Sequence, residues 1–281
     1  MNAKAAPSHT PKRRTPQPPP LRKPLYLNGT HLRSLTLEGP ALKVEDDLGR
    51  NRFYPLARIS RIILRGHMAC TTDVLEHILA SGLSMTILDQ DEHLIGWLVS
   101  AQPLVLSMLQ QRLEDAKHLG LLDQTLENWR LSRLRMMLLH HVVPHLSGVH
   151  PADLRTRTMR NRASGLLYRR TGQDWRRIMR RFRGSLRAMA IQQLQDVGVD
   201  ARWLGADETR PDLAGILAGL LEWVLWGAAL KRKRPTPLQT WRESIAFFEA
   251  SRNTLERSAK TLIDDLNHTL REALFYLGER P

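Results

Sequence analysis

Apolar spacing divides the chain into two textures. From Leu25 to about Ser100, hydrophobic residues come in short runs broken by turn signals at Asn28-Gly29, Gly39-Pro40 and Asp46 to Gly49. Alternation with period two at Leu35-Leu37 and Leu42-Val44 predicts half-buried strands, so the opening reads as a β-meander. The continuous run Arg61 to Leu64 (RIIL) predicts a buried strand. In TTDVLEHILASG, Val74, Leu75, Ile78 and Leu79 share one helical face, with Thr71 or Thr72 as N-cap and Gly82 as the stop. SMTILD and HLIGWLV predict two more strands. A small sheet with one short helix inserted is therefore expected over roughly residues 25–99.

Beyond Pro103 the period lengthens to that of helices. Leucines at i, i+3 and i+4 predict helices over 104–119, 123–146, 152–170, 174–196, 211–230 and 238–277. In the last of these, Trp241, Ile245, Phe248, Leu255, Leu262, Leu266, Leu270 and Leu274 form one stripe. It reads as one long or two shorter amphipathic helices. No internal repeat is present. The fold class expected is α+β: a small N-terminal β-sheet domain with a short helix over 24–100, followed by a larger all-α domain over 101–281. Ahead of both, residues 1–23 hold six prolines, six basic residues and no acid. Such a segment buries too little apolar area to offset its ordering entropy, so a disordered basic arm is expected.

One stretch tests the helical reading. Residues 213–230, LAGILAGLLEWVLWGAAL, contain a single charge, Glu222, and run into KRKR. Length and flank are the minimum for a membrane span. The isolation of the segment, its central carboxylate and its small residues favour a buried core helix instead, and no membrane partner is expected.

Charge then narrows the partners. The 281 residues carry 42 Lys and Arg against 28 Asp and Glu, a formal net charge of +14. Such a balance favours polyanions, DNA or RNA by default. The single cysteine, Cys70, allows no internal disulfide and fits a reducing compartment, and no secretory signal is visible, so a cytoplasmic location is expected. Aromatic residues make up only 6%, which disfavours a stacking platform for single strands. No Gly-rich phosphate loop, Cys-x-x-Cys pair or Gly-x-Ser-x-Gly is present.

The positive charge concentrates between Arg155 and Arg187, a field of twelve arginines whose only acid is Asp174. Like charges at i,i+4 on a helix cost a few tenths of a kcal/mol each. Repeated acceptance of that cost points to an external anion, and the planar guanidinium fork suits phosphate. The residues expected to face DNA are Arg160, Arg162, Arg169, Arg170, Arg176, Arg177, Arg180 and Arg181. Pairing with acids elsewhere in the fold is the structural alternative. A weaker cluster is HHVVPH, with His140, His141 and His145, then His150 and Asp153. His141 and His145 have the i,i+4 spacing of half a metal site, but Pro144 interrupts the helix and no zinc-protease Glu is in place.

Several of these passages, taken together, resemble one family. They are the opening LYL, the YPLARISRIIL strand, the GHMACTTDVLEHILASG strand-to-helix passage, the MTILD strand and the Gly-Trp-Leu strand, with a helical domain following. The chain resembles the CRISPR-associated spacer-acquisition endonuclease and integrase, well over residues 25–100 and faintly beyond. The resemblance implies a homodimer formed through the N-terminal sheet, DNA as substrate, a small ferredoxin-like partner protein, and Mg²⁺ or Mn²⁺ held by a Glu, a His and an acid in the helical domain. Hard cations of this kind want charged oxygens. Setting Tyr168 of MRNRASGLLYRR on the family's tyrosine places Asn161 at the glutamate. The histidine position falls near Asp207 or Glu208, and the acidic positions fall on Ile216 and Gly219. The resemblance thus implies a divergent member with a degenerate metal site, no catalytic residue and no cofactor. The alternative is an active Mg²⁺- or Mn²⁺-dependent nuclease or integrase using Asp207, Glu208, Asp212 and Glu222. A further alternative, an RNA-binding or membrane-surface protein with a basic helical domain, sets the resemblance aside.

Overall fold

The computed structural model describes residues 22–100, 107–150, 154–205, 210–232 and 238–278. The basic arm up to residue 21, Asp153, Asp207, Glu208 and the last two residues of KRKR lie outside these residues.

The N-terminal unit holds eight strands in two four-stranded sheets rather than the one small sheet expected. Strands β2 (Leu32–Glu38), β3 (Ala41–Asp46) and β4 (Asn51–Pro55) form the expected antiparallel meander. The short β6 (Ala69–Cys70) adds in parallel to β2. The meander does not extend to β1 (Lys23–Asn28), which crosses over to pair in parallel with β5 (Ile59–Arg65). β1 also takes Lys23 from the residues expected to be disordered. β5 pairs in parallel with β7 (Ser84–Leu88), and β7 runs antiparallel to β8 (Leu94–Leu98). A central parallel strand is covered on both faces, which explains why ISRIIL is buried throughout and its Ile62, Ile63 and Leu64 run on without alternation.

The two faces of β5 do different work. Ile62 and Leu64 join Leu35, Leu42 and Val44 of the second sheet, with Val74 and Ile78 of helix α1 (Thr72–Ala80), in one core. Ile63, on the opposite face, packs with Leu88 and with Ala188 of the helical unit. Thr71 is the N-cap of α1, and Gly82, at φ +67°, ends it.

The helical unit comprises α2 (Met108–His118), α3 (Leu122–Met137), α4 (Thr156–Thr171), α5 (Trp175–Asp196), α6 (Leu213–Lys231) and α7 (Trp241–Gly278). The helix expected over 123–146 stops at Met137. It passes into a π-helical segment, Leu138–Val142, and a 3-10 turn, Val143–His145, with Pro144 at the start of that turn. The proline has no N–H to extend the ladder. α7 is one continuous helix of 38 residues.

α6 is the helix whose composition would allow a membrane crossing, and 78% of its apolar window is buried inside the fold. Its Trp223 and Trp226 are buried with Trp175, Phe182 and Phe247 in the core of the helical unit. Each fully buried leucine along it contributes about 2 kcal/mol. α5 is the joint between the units. Its Gly184 lies against Leu88 and within 3.1 Å of the Glu92 carbonyl oxygen, measured from where a β-carbon would stand.

Candidate nucleic-acid interface

α4 ends where Gly172 takes φ +70° and donates its N–H to the Tyr168 carbonyl at 2.7 Å. α5 starts two residues later on Asp174, whose carboxylate accepts from the Arg176 N–H at 3.0 Å and the Arg177 N–H at 3.4 Å. The only acid of the arginine field is therefore an N-cap, a role that holds a carboxylate at the positive end of a helix.

Along α5, Arg176, Arg180, Arg183 and Arg187 stand at i, i+4, i+7 and i+11, on a single face. Arg176, Arg177 and Arg180 are exposed and, like Arg169 on α4, make no side-chain hydrogen bond or ion pair among the described residues. Other arginines of the field have partners within the fold. Arg162 donates to the Gly148 carbonyl at 3.0 Å, and Arg170 to the Leu230 carbonyl at 3.0 Å near the end of α6. Arg181 acts by charge on the buried Glu92, whose carboxyl is raised above its usual range by burial and partly drawn back by Arg65 and Arg181.

At its far end the stripe enters a cleft between α4, α5 and α6. Glu222 of α6, 4% exposed, is its internal anion. Its Oε2 accepts from Arg183 Nε at 3.3 Å, and its Oε1 accepts from the Trp226 indole N–H at 3.2 Å. Arg160 Nε lies 3.3 Å from the same Oε1 without hydrogen-bond geometry, and the Arg160 guanidinium sits 5.2 Å from the Trp223 ring centre. Asp212 caps α6 by accepting the Gly215 N–H at 2.8 Å and pairs with Arg187 at 2.6 Å. The Arg187 guanidinium lies 4.8 Å from the centre of Trp97 of β8 and donates to the Leu204 carbonyl at 3.2 Å. Arg160, Arg180, Arg183 and Arg187 line a cavity of about 550 Å³ floored by Gly215, Ala218 and Gly219. An adjoining cavity of about 570 Å³ shares Arg160, Gly215 and Gly219 and is lined by Ile216 and Asp212.

Two of the positions that the family resemblance marks, Ile216 and Gly219, thus meet at one cleft. Asn161 is exposed and lines neither cavity; Arg160, one residue earlier, does. Arg183 and Arg187 fall outside the eight arginines expected to face DNA, yet they complete the stripe. Their spacing from Arg176 was the available signal.

The donors of this cleft do not suit a divalent cation. Both of its carboxylates are engaged by arginines, and a cation set between them would meet guanidinium charge on several sides. Among the described residues, no group of three or more His, Cys, Asp or Glu side chains is arranged to hold a metal ion.

The histidines are brought together elsewhere. His140, His141 and His145 line a cavity of about 570 Å³ with Lys231, Arg232 and Thr254. The His140 and His141 rings meet edge to face with centres 4.7 Å apart. Burial, then the neighbouring charges of His140 and His145, lowers the His141 pKa to about 4, so its ring is neutral at pH 7.

Two sheets seated on an all-helical unit, with a one-sided arginine stripe running into a cleft between three helices, define an α+β protein with a strongly basic helical domain. Residues 25–122 match the family model described as CRISPR associated protein Cas1. The fold is similar to that of a Cas1 protein from Thermotoga maritima, with TM-score 0.68 and 11% identity over 90% of this chain and 97% of that one. It is similar to the protein of the TtCas1–DNA complex, with TM-score 0.59 and 16% identity over 89% of this chain and 92% of that one. It is also similar to part of the Cas6-RT-Cas1–Cas2 complex, with TM-score 0.52 and 14% identity over 92% of this chain and 36% of that one. No curated protein matches the chain. Residues 25–122 thus match the Cas1 family model by sequence, and the described chain shares the fold of the Cas1 structures.

Proposed function

We propose that the protein binds duplex or branched DNA in CRISPR spacer acquisition, and that it does so without metal-dependent cutting or joining of strands. The observation that carries this reading is the pairing of both cleft carboxylates, Glu222 and Asp212, with arginines, at the end of a stripe that is otherwise free to meet phosphate. Exposed Arg169, Arg176, Arg177 and Arg180 contact the DNA backbone, and Arg160 and Arg183 follow it into the cleft. Arg162, Arg170 and Arg181 are expected to add charge while also holding their partners in the fold. The protein works as a homodimer through its sheets, in the cytoplasm, beside a small adaptation partner of the Cas2 kind. The Cas1 relatives seen with DNA and with Cas2 support both partners.

The test is a salt-titrated binding series on branched duplex DNA, with EDTA, Mg²⁺ or Mn²⁺, in which cutting and joining are read from the same samples. Binding should be independent of metal, no strand should be cut or joined, and the logarithm of affinity should fall with log salt by about 0.9 per phosphate contacted. Replacing both Arg176 and Arg180 by Gln should lower that slope by about 2. Cutting or joining in Mn²⁺ would overturn the reading and turn attention to Asp207, Glu208, Asp212 and Glu222.

A further inference from the structure

We infer that the cleft between α4, α5 and α6 is a metal-free pocket for one phosphoryl group of a nucleic acid strand, gripped by Arg160 and Arg183 and oriented by Glu222. The inference rests on the reading that the α5 stripe meets nucleic acid.

Three features carry it. The first is charge. Four guanidinium groups (Arg160, Arg180, Arg183 and Arg187) surround a cavity whose carboxylates are Glu222 and, next to it, Asp212, leaving an excess of two positive charges. That is the complement of a phosphate, and the opposite of what a cation requires.

The second is orientation. Glu222 meets both of its arginines through Nε, one on each carboxylate oxygen. Among the described residues, the terminal amino groups of Arg160 and Arg183 have no hydrogen-bond acceptor. A buried carboxylate braced by the Trp226 indole thus sets two guanidinium groups from two helices beside one cavity, with donors left for an outside acceptor. Pre-set donors of this kind lose less freedom on binding than free arginines do. Glu222 is then a positioning residue and not a metal ligand.

The third is the floor. Gly215, Ala218 and Gly219 present no side chain beyond a β-carbon, so a phosphoryl group can approach α6 closely. A β-carbon added at Gly219 would meet nothing within 4 Å, which marks that position as open space rather than a packing constraint.

The test uses the full chain in EDTA, with inorganic pyrophosphate as probe and thermal stability as readout. Pyrophosphate should raise the melting temperature with saturation. Gly219→Gln and Gly219→Glu fill the open floor and should abolish that rise while leaving the unliganded melting temperature no lower. Arg183→Gln should weaken pyrophosphate at least tenfold, and Arg176→Gln, the same charge change outside the cleft, should leave it nearly unchanged. A pyrophosphate response that survives both Gly219 variants, or that requires Mg²⁺, overturns the inference.

Duplex binding by the same variants separates this claim from the one it rests on. Duplex binding without a saturable pyrophosphate response leaves the DNA-binding proposal standing and removes the pocket. A pyrophosphate response in a protein that binds no duplex, and that is not competed by a 5′-phosphorylated oligonucleotide, removes the nucleic acid as its source and overturns both.

Discussion

At the scale of single residues, environment sets the role more than identity does. Glu222 reads in sequence as one charge in an apolar helix; in the fold it anchors two arginines and an indole. His141 reads as half of a metal site; in the fold it is a half-buried neutral ring. Its depressed pKa has a consequence for stability. The unfolded chain binds a proton at this histidine near pH 6.5, while the folded chain resists it until about pH 4. The stabilisation is complete above pH 6.5 and is lost as pH falls toward 4. We expect chemical denaturation midpoints to decline between pH 6.5 and 4.5, above the range where carboxylates such as Asp46 and Asp89, held low by their hydrogen bonds, take up protons. The decline should flatten in His141→Asn. An unchanged slope in that variant would assign the decline to other groups.

At the scale of elements, two glycines in neighbouring helices make a matched pair. Gly184 of α5 has no room for a side chain, because Leu88 and the Glu92 carbonyl press against it from the sheet unit. Gly219 of α6 faces open space. Gly184→Ala should therefore destabilise by about 1–3 kcal/mol through overpacking. Gly219→Ala should stabilise by about 0.5–1 kcal/mol through helix propensity alone. Equilibrium urea unfolding of the two variants measures both; equal effects would mean that α5 is not held to the sheet by this contact. In sequence the two glycines look alike, since helical periodicity reports which face is apolar and not how near the next element comes.

At the scale of the whole molecule, the joint between sheet and helices contains a buried charge. Arg61 of β5, 1% exposed, donates to Gln192 of α5 at 3.0 Å, while its Nε and Nη2 have no hydrogen-bond partner. Burial holds its pKa below the usual arginine range. Close by, the half-buried Tyr26 donates its hydroxyl to Glu249 of α7 at 2.6 Å, and Arg252 pairs with Glu249 at 3.8 Å and with Glu256 at 2.6 Å. Because those carboxylates keep Arg252, replacing Arg61 by an apolar side chain of similar volume relieves desolvation without orphaning an acid. Arg61→Met should leave the melting temperature unchanged or raise it, whereas Arg61→Ala should lower it by leaving a cavity. A fall in Arg61→Met as large as in Arg61→Ala would show that the charge itself holds the two units together.

Local sequence signals by themselves determined the α+β order, the stop of α1 at Gly82 and the core character of α6, while leaving open whether the last segment is one long helix or two. These follow from local spacing, because a side chain's face within a helix or strand is set by the residues a few places away. The partners of distant residues were not legible in that way. The parallel pairing of β1 with β5 skips three strands, and burial on both faces hides it from period-two alternation. The field from Arg155 to Arg187 was plain in the sequence, but its division into exposed arginines, carbonyl-holding arginines and carboxylate-paired arginines was not. Arg183 and Glu222 are 39 positions apart and touch only because α5 packs along α6. The sequence set how much positive charge the helical domain carries; the tertiary structure decided which of it is neutralised inside the fold, because Coulombic and hydrogen-bond partners are chosen by distance in space.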